Sequence, residues 1–249
     1  MLSAGCLPSE ACSILLINEL MIHKRKIALL LLACILNVIA YGQTPAVNYR
    51  STAHYRHRTS LFHHLPMISN NDIVMLGNSL TEFGGDWNLR IKNASGLIVN
   101  RGIMGDDATG MLHRLNQITP SQPRKIFVGC GINDVSHKLS NKEVAARVQR
   151  LLTEIIRQSP HSQVYYFSLL PINESFGRWK SLNGRTNDIP IINRMMEVWC
   201  LKNGITYIDV FSHMTMQGSN ILRKELSVDG LHLSEEGYSV WVDAIKQYF

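Results

Sequence analysis

The chain has 249 residues and a formal net charge of +6 at pH 7, a length that suits one sizeable domain or two small ones. The mildly basic balance comes without a Lys/Arg block or an aromatic-basic stripe, which excludes a nucleic-acid partner. Beyond the leader described next, Cys130 and Cys200 alone remain, which excludes a disulfide scaffold and leaves at most one bridge.

The opening segment reads as an export signal. From Met21 a basic "HKRK" is followed by the apolar "IALLLLACILNVIA" and by small residues around "AYGQ", the order of a charged region, a hydrophobic region and a cleavage site near Gly42. The apolar run is short for a membrane span and no stop-transfer charges follow it, so removal is expected over anchoring. Residues 1–42 are therefore assigned to leader and signal, and 43–249 to a single domain. "LLAC", ending at Cys34, resembles a lipoprotein box, but the residues after it stay apolar. The expected location is periplasmic or secreted, with no stable membrane span after signal removal.

"NYRSTAHYRHRTSLFHHLP" predicts a helix on the outside of the fold. His54, His57, His63 and His64 lack Cys, Asp or Glu at ligand spacing, so an exposed basic helix explains them and no metal is expected. Five apolar runs follow, at 72–77, 96–102, 125–131, 163–169 and 205–210. Runs this continuous suit strands buried on both faces, and helical patterns between them imply parallel βαβ units. "SNKE" at 140–143 is a capping box ahead of a stripe from Val144 to Ile156 that stops at Pro160. A second helix runs from about Ile189 to Lys202 with Met195, Met196 and Trp199 inward and Gly204 as terminator. A third follows Ser234 as N-cap and carries Tyr238, Trp241, Val242 and Ile245. Cys130 falls in a strand and Cys200 in a helix, so two buried thiols are expected. The predicted class is α/β, a three-layer arrangement of one sheet between helices.

In open parallel sheets, ligands bind outside the carboxyl ends of the strands where the order reverses. A 2-1-3-4-5 order makes neighbours of Ser79 after the first strand, Gly105 after the second and Asn133 after the third. Acyl transfer needs a nucleophile beside donors aimed at a developing oxyanion. The candidate donors are the backbone N–H groups of Ser79 and Gly105 and the side-chain amide of Asn133. In "SVDGLHLSEEGY", Asp229 and His232 are three residues apart ahead of the last helix, so one turn can bring the carboxylate to Nδ1 and leave Nε2 for the Ser79 proton.

The blocks "GNSLT", "NRGIMGD", "GIND" and "DGLH", in this order over nearly the whole segment after the leader, resemble the SGNH (GDSL-type) hydrolase family. The likeness is greatest to its platelet-activating-factor-acetylhydrolase-like and bacterial sialate O-acetylesterase-like branches. The resemblance implies a flavodoxin-like α/β/α sandwich and ester hydrolysis without metal or cofactor. It also implies Ser79 as nucleophile, Gly105 and Asn133 completing the oxyanion hole, and Asp229 and His232 as orienter and base. Asn78 stands where the family name has aspartate, which bears on hydrogen bonding in the loop. Asn78, Trp87 and Arg101 are candidate pocket residues; for Trp87 ordinary packing is an equal alternative, and for Arg101 bracing is favoured. Asp134 is read as structural.

The expected reaction is hydrolysis of a small acyl group, acetyl, from a carbohydrate or similar polar alcohol. A lysophospholipase or thioesterase of the same fold is the alternative within enzymes. A nucleotide- or flavin-binding module lacks its glycine motifs here and leaves Asp229 and His232 without a task. A glycan-binding relative would be expected to lack a triad member. G-x-S-x-G is absent around Ser79, which excludes the α/β-hydrolase arrangement.

Overall fold

In the computed structural model, Met21, residues 49–65 and residues 67–249 are described. The leader, the cleavage site near Gly42 and Cys34 lie outside the described residues. In chain order the elements are helix α1 (Ala53–His64), β1 (Ile73–Gly77), α2 (Ser79–Phe83), α3 (Trp87–Arg90), β2 (Ile98–Gly102), α4 (Ala108–His113), β3 (Lys125–Gly129) and α5 (Ile132–Ser136). They continue with α6 (Asn141–Gln158), β4 (Gln163–Phe167), α7 (Asp188–Lys202), β5 (Thr206–Ile208), α8 (Phe211–Met214) and α9 (Glu235–Ile245).

The strands form one parallel sheet in the order β2-β1-β3-β4-β5. This is the predicted flavodoxin-like order, each strand shorter than its apolar run by one to three residues at its ends. Every residue of β1 is buried, as expected for a central strand covered on both faces. The alternation of side chains sorts the two faces. Phe127 and Phe167 stack together, Phe127 also on Phe249, while Phe167 meets Trp241 of α9 edge-on. On the other face Tyr166 packs against Tyr207 and its hydroxyl donates to the Cys130 carbonyl. Cys130 and Cys200 are buried and free, and burial pushes both thiols upward, Cys200 to about 12.

The helices begin where the sequence says they should. Ser140 and Glu143 form a reciprocal capping box on α6, which satisfies N–H groups that a helix start leaves without internal acceptors. Val144, Val148, Leu151, Leu152 and Ile155 line its buried stripe. Pro190 lies in the first turn of α7, where a missing N–H costs nothing. Ser234 caps α9 through the Gly237 N–H. Asn173, in the sequon-like "NES", is buried with its amide on the Leu222 carbonyl, so it offers no attachment point for a glycan. Among the described residues, no helix is long and apolar enough to cross a membrane.

Candidate active site

β1, β2 and β3 end in step, with Gly77 registered to Gly102 on one side and Gly129 on the other. The three segments that follow therefore start from one edge of the sheet, at the order reversal. Asn78 caps α2 by accepting the Leu80 N–H on Oδ1 at 3.0 Å, so Ser79 occupies the first helical position. A helix offers no acceptor of its own to that N–H. Among the described residues, no hydrogen bond engages the N–H of Ser79 or of Gly105.

Gly105 has φ +81°, a left-handed conformation that glycine adopts without strain. A Cβ at this position would also run into the ring of Tyr49. The next residue's carbonyl, of Asp106, accepts from Asn133 Nδ2 at 2.8 Å. That bond fixes one amide hydrogen of Asn133 beside the Gly105 turn and leaves the other for a ligand.

The remaining groups arrive on the loop between Ser227 and α9, which is held by its own hydrogen bonds. Ser227 Oγ accepts from the Gly230 N–H at 2.8 Å and donates to the His232 carbonyl at 2.8 Å. Asp229 Oδ1 accepts from the N–H groups of Leu231 at 3.0 Å and His232 at 2.8 Å. Its other oxygen, Oδ2, lies 2.8 Å from His232 Nδ1. His232 Nε2 lies 2.9 Å from Ser79 Oγ, across 153 residues of chain. Gly230 takes φ +88° with its Cα against the Asn173 carbonyl, which a side chain would prevent.

Burial alone would raise the Asp229 carboxyl. The hydrogen bonds from the His232 ring and from the two backbone N–H groups outweigh it, so its pKa lies below the ordinary carboxylate value. An ionised Asp229 facing Nδ1 selects the tautomer with the proton on Nδ1 and leaves Nε2 as acceptor for a hydroxyl proton. Ser79, His232 and Asp229 thus form one continuous chain of contacts. Asn133 and Gly105 belong to the adjoining tips, linked through Asp106.

The three residues read as candidate pocket residues are all buried. Asn78 and Arg101 are 2% exposed and Trp87 is 0% exposed. Trp87 follows "GG", which suggests a loop, but its indole N–H donates to the Thr81 carbonyl and its ring meets Tyr238 and Trp241 edge-on. Burying so large a ring contributes roughly 1.5–3 kcal/mol, and that draws it into the core. Arg101 lays its guanidinium over Phe62 at 4.7 Å and braces the end of β2. Asn78 is occupied by its cap.

Other groups brace or border the site. Arg114 and Asp106 form a buried ion pair at 2.7 Å, and the same guanidinium donates to the carbonyls of Arg101 at 2.9 Å and Gly77 at 3.1 Å. One arginine therefore ties the ends of β1 and β2 to the residue after Gly105. Asp134 is fully buried and accepts the Ala108 N–H on Oδ2 at 3.1 Å, joining the β3 tip to α4. Burial raises its carboxyl to about 7, with the charge of Asp107 adding to the rise. Phe83 and Trp179 lie with ring centroids 5.1 and 5.2 Å from that of His232. Among the described residues, no group of three His, Cys, Asp or Glu side chains is placed to hold a metal ion. His54 instead meets Glu82, and His64 meets the Ser60 carbonyl.

Comparison with known proteins agrees with this architecture. A structure from Streptococcus pneumonia named for platelet activating factor aligns with a TM-score of 0.68 at 24% identity, over 78% of this chain and 92% of its own. A GDSL-like lipase from Bacteroides thetaiotaomicron VPI-5482 aligns with a TM-score of 0.67 at 20% identity, over 82% and 98%. An acetylxylan esterase from Geobacillus stearothermophilus aligns at 0.57 with 13% identity, over 74% and 95%. These likenesses are of fold. An N-acylneuraminate cytidylyltransferase from Streptococcus agalactiae serotype V is 23% identical over 143 residues, 55% of this chain and 32% of that protein, so this chain spans about a third of that relative's length. The model of the GDSL-like Lipase/Acylhydrolase family matches residues 75–240, which run from inside β1 past His232. With that match over most of its length, the chain belongs to the GDSL-like lipase/acylhydrolase family, the SGNH-type serine ester hydrolases.

Proposed function

We propose that this protein is an exported serine esterase that removes a small acyl group, acetyl, from a carbohydrate through an acyl-serine intermediate. The observation that carries the proposal is the unbroken relay Asp229–His232–Ser79, with separations of 2.8 and 2.9 Å. Ser79 Oγ attacks the ester carbonyl as its proton passes to His232 Nε2, and the imidazolium is stabilised by ionised Asp229. The oxygen of the tetrahedral intermediate is received by the N–H groups of Ser79 and Gly105 and the free amide hydrogen of Asn133. Collapse breaks the bond to the alcohol, whose oxygen takes the proton from Nε2. Water then attacks the acyl-serine, His232 takes its proton and returns it to Ser79 Oγ, and the carboxylic acid leaves.

Support for a carbohydrate alcohol comes from relatives whose names refer to acetylxylan and N-acylneuraminate. Labelling with a serine-directed phosphonate followed by mapping of the modified peptide tests the nucleophile, with Ser79 as the expected site. A chain-length series of p-nitrophenyl esters tests the acyl group; a preference for long chains would replace the acetyl reading with a lysophospholipase or thioesterase.

A further inference from the structure

We infer that Phe83 and Trp179 form the subsite for the departing alcohol, and that this alcohol is a sugar ring seated by its apolar C–H face. The inference rests on the esterase reading above, which fixes the direction. In the tetrahedral intermediate the former carbonyl oxygen faces the donors at the strand tips, and the alcohol oxygen faces His232 Nε2, which must protonate it. The carbon frame of the alcohol therefore lies beside the imidazole, and the groups touching that ring are its first neighbours.

Those neighbours are aromatic and come from unrelated segments. Phe83 ends α2, five residues into the helix that Ser79 begins, and Trp179 sits in the loop after β4. Their centroids lie 5.1 and 5.2 Å from the His232 centroid at interplanar angles of 50° and 74°. Phe83 is 45% exposed, although it ends a helix that begins in the core. Trp179 is half-buried and flanked by exposed Arg178 and Lys180. An open aromatic surface beside a reacting group marks a binding surface. Flat rings suit a pyranoside, which offers C–H groups on one face, and Arg178, which lines the same hollow as Trp179, is a donor for the hydroxyls around its edge. Neither ring reaches Ser79 or the strand-tip donors through a hydrogen bond, so both can choose the alcohol without taking part in the chemistry.

The test compares an acetylated methyl xyloside with methyl acetate, whose alcohol is too small to reach either ring. For Trp179→Ala and Phe83→Ala, kcat/KM on the sugar ester is expected to fall about tenfold, mainly through KM, as expected for loss of about 1.4 kcal/mol of contact. The value on methyl acetate should stay within about threefold of wild type, and Trp179→Phe should restore most of the loss, since a ring face remains. Equal losses on both esters would show that the rings only hold His232 and would overturn the subsite. Preference of the wild type for an acylglycerophosphocholine over every sugar ester would overturn the sugar assignment. Both results are compatible with phosphonate labelling of Ser79, whereas absence of labelling together with absence of hydrolysis would remove the esterase reading itself and the subsite with it.

Discussion

The two halves of the site are held in place by different means. Ser79, Gly105 and Asn133 stand at the tips of β1, β2 and β3, and their spacing depends on sheet register and on the buried Arg114–Asp106 pair. Asp229 and His232 lie in a loop whose geometry is set by hydrogen bonds among Ser227, Asp229, Gly230, Leu231 and His232. The first half is assembled from distant sequence and is as rigid as the sheet. The second is nearly a self-contained turn that needs only to be docked. A serine hydrolase built this way can be damaged chemically at the loop and geometrically at the tips, and the two kinds of damage give different signatures.

Substitutions break that division in graded fashion. Ser79→Ala removes the proposed attacking atom, and ester hydrolysis should drop to the limit of detection in a pH-stat assay while the circular dichroism spectrum is kept. Asp229→Asn acts on the loop: the ring loses the carboxylate that selects its tautomer, and kcat should fall on the order of 10⁴-fold with little change in fold. Asn133→Ala removes one proposed oxyanion donor at the tips, and kcat should fall about 10²–10³-fold with KM nearly unchanged. Arg114→Met strikes the tips without touching the reacting atoms. It leaves Asp106 buried without its partner, and the midpoint of urea unfolding should report a loss of about 3–5 kcal/mol.

The smallest effect concerns Asp134. Its folded-state carboxyl is raised to about 7 by burial, so the folded protein holds that proton more tightly than the unfolded chain. The stabilisation is complete below the ordinary carboxylate range and is lost as pH rises through about 7. Asp134→Asn keeps an acceptor for the Ala108 N–H and lacks this titration. Its thermal midpoint relative to wild type should climb between pH 4 and pH 7, as the wild type weakens, and level off above. A difference independent of pH would show that Asp134 is not buried as a titrating group.

The same division explains what was legible in the sequence. The strands could be read because β1 and β3 are apolar on both faces, and the capping box at Ser140 and Glu143 because it is local. The Asp229–His232 turn was readable for the same reason: three residues separate the partners. The strand tips were readable only as motifs placed after strands, once the sheet order was supposed. Arg114 could not be found, since its acceptor at Gly77 is 37 residues away and the link exists only through folding. For Trp87 the sequence left pocket and packing equally open, because its partners, Tyr238 and Trp241, lie at the far end of the chain. Phe83 and Trp179 become neighbours only through His232.

The buried thiols of Cys130 and Cys200 turn this molecule into its own stopwatch. Cys130 directly follows β3, three residues before Asn133, and Cys200 lies in α7 on a helix remote in sequence from the reacting groups. With neither sulfur open to reagent in the closed protein, the rate at which each is alkylated counts how often its surroundings come apart. Comparing the two clocks in one sample would time loosening of the catalytic edge separately from loosening of the helical layer.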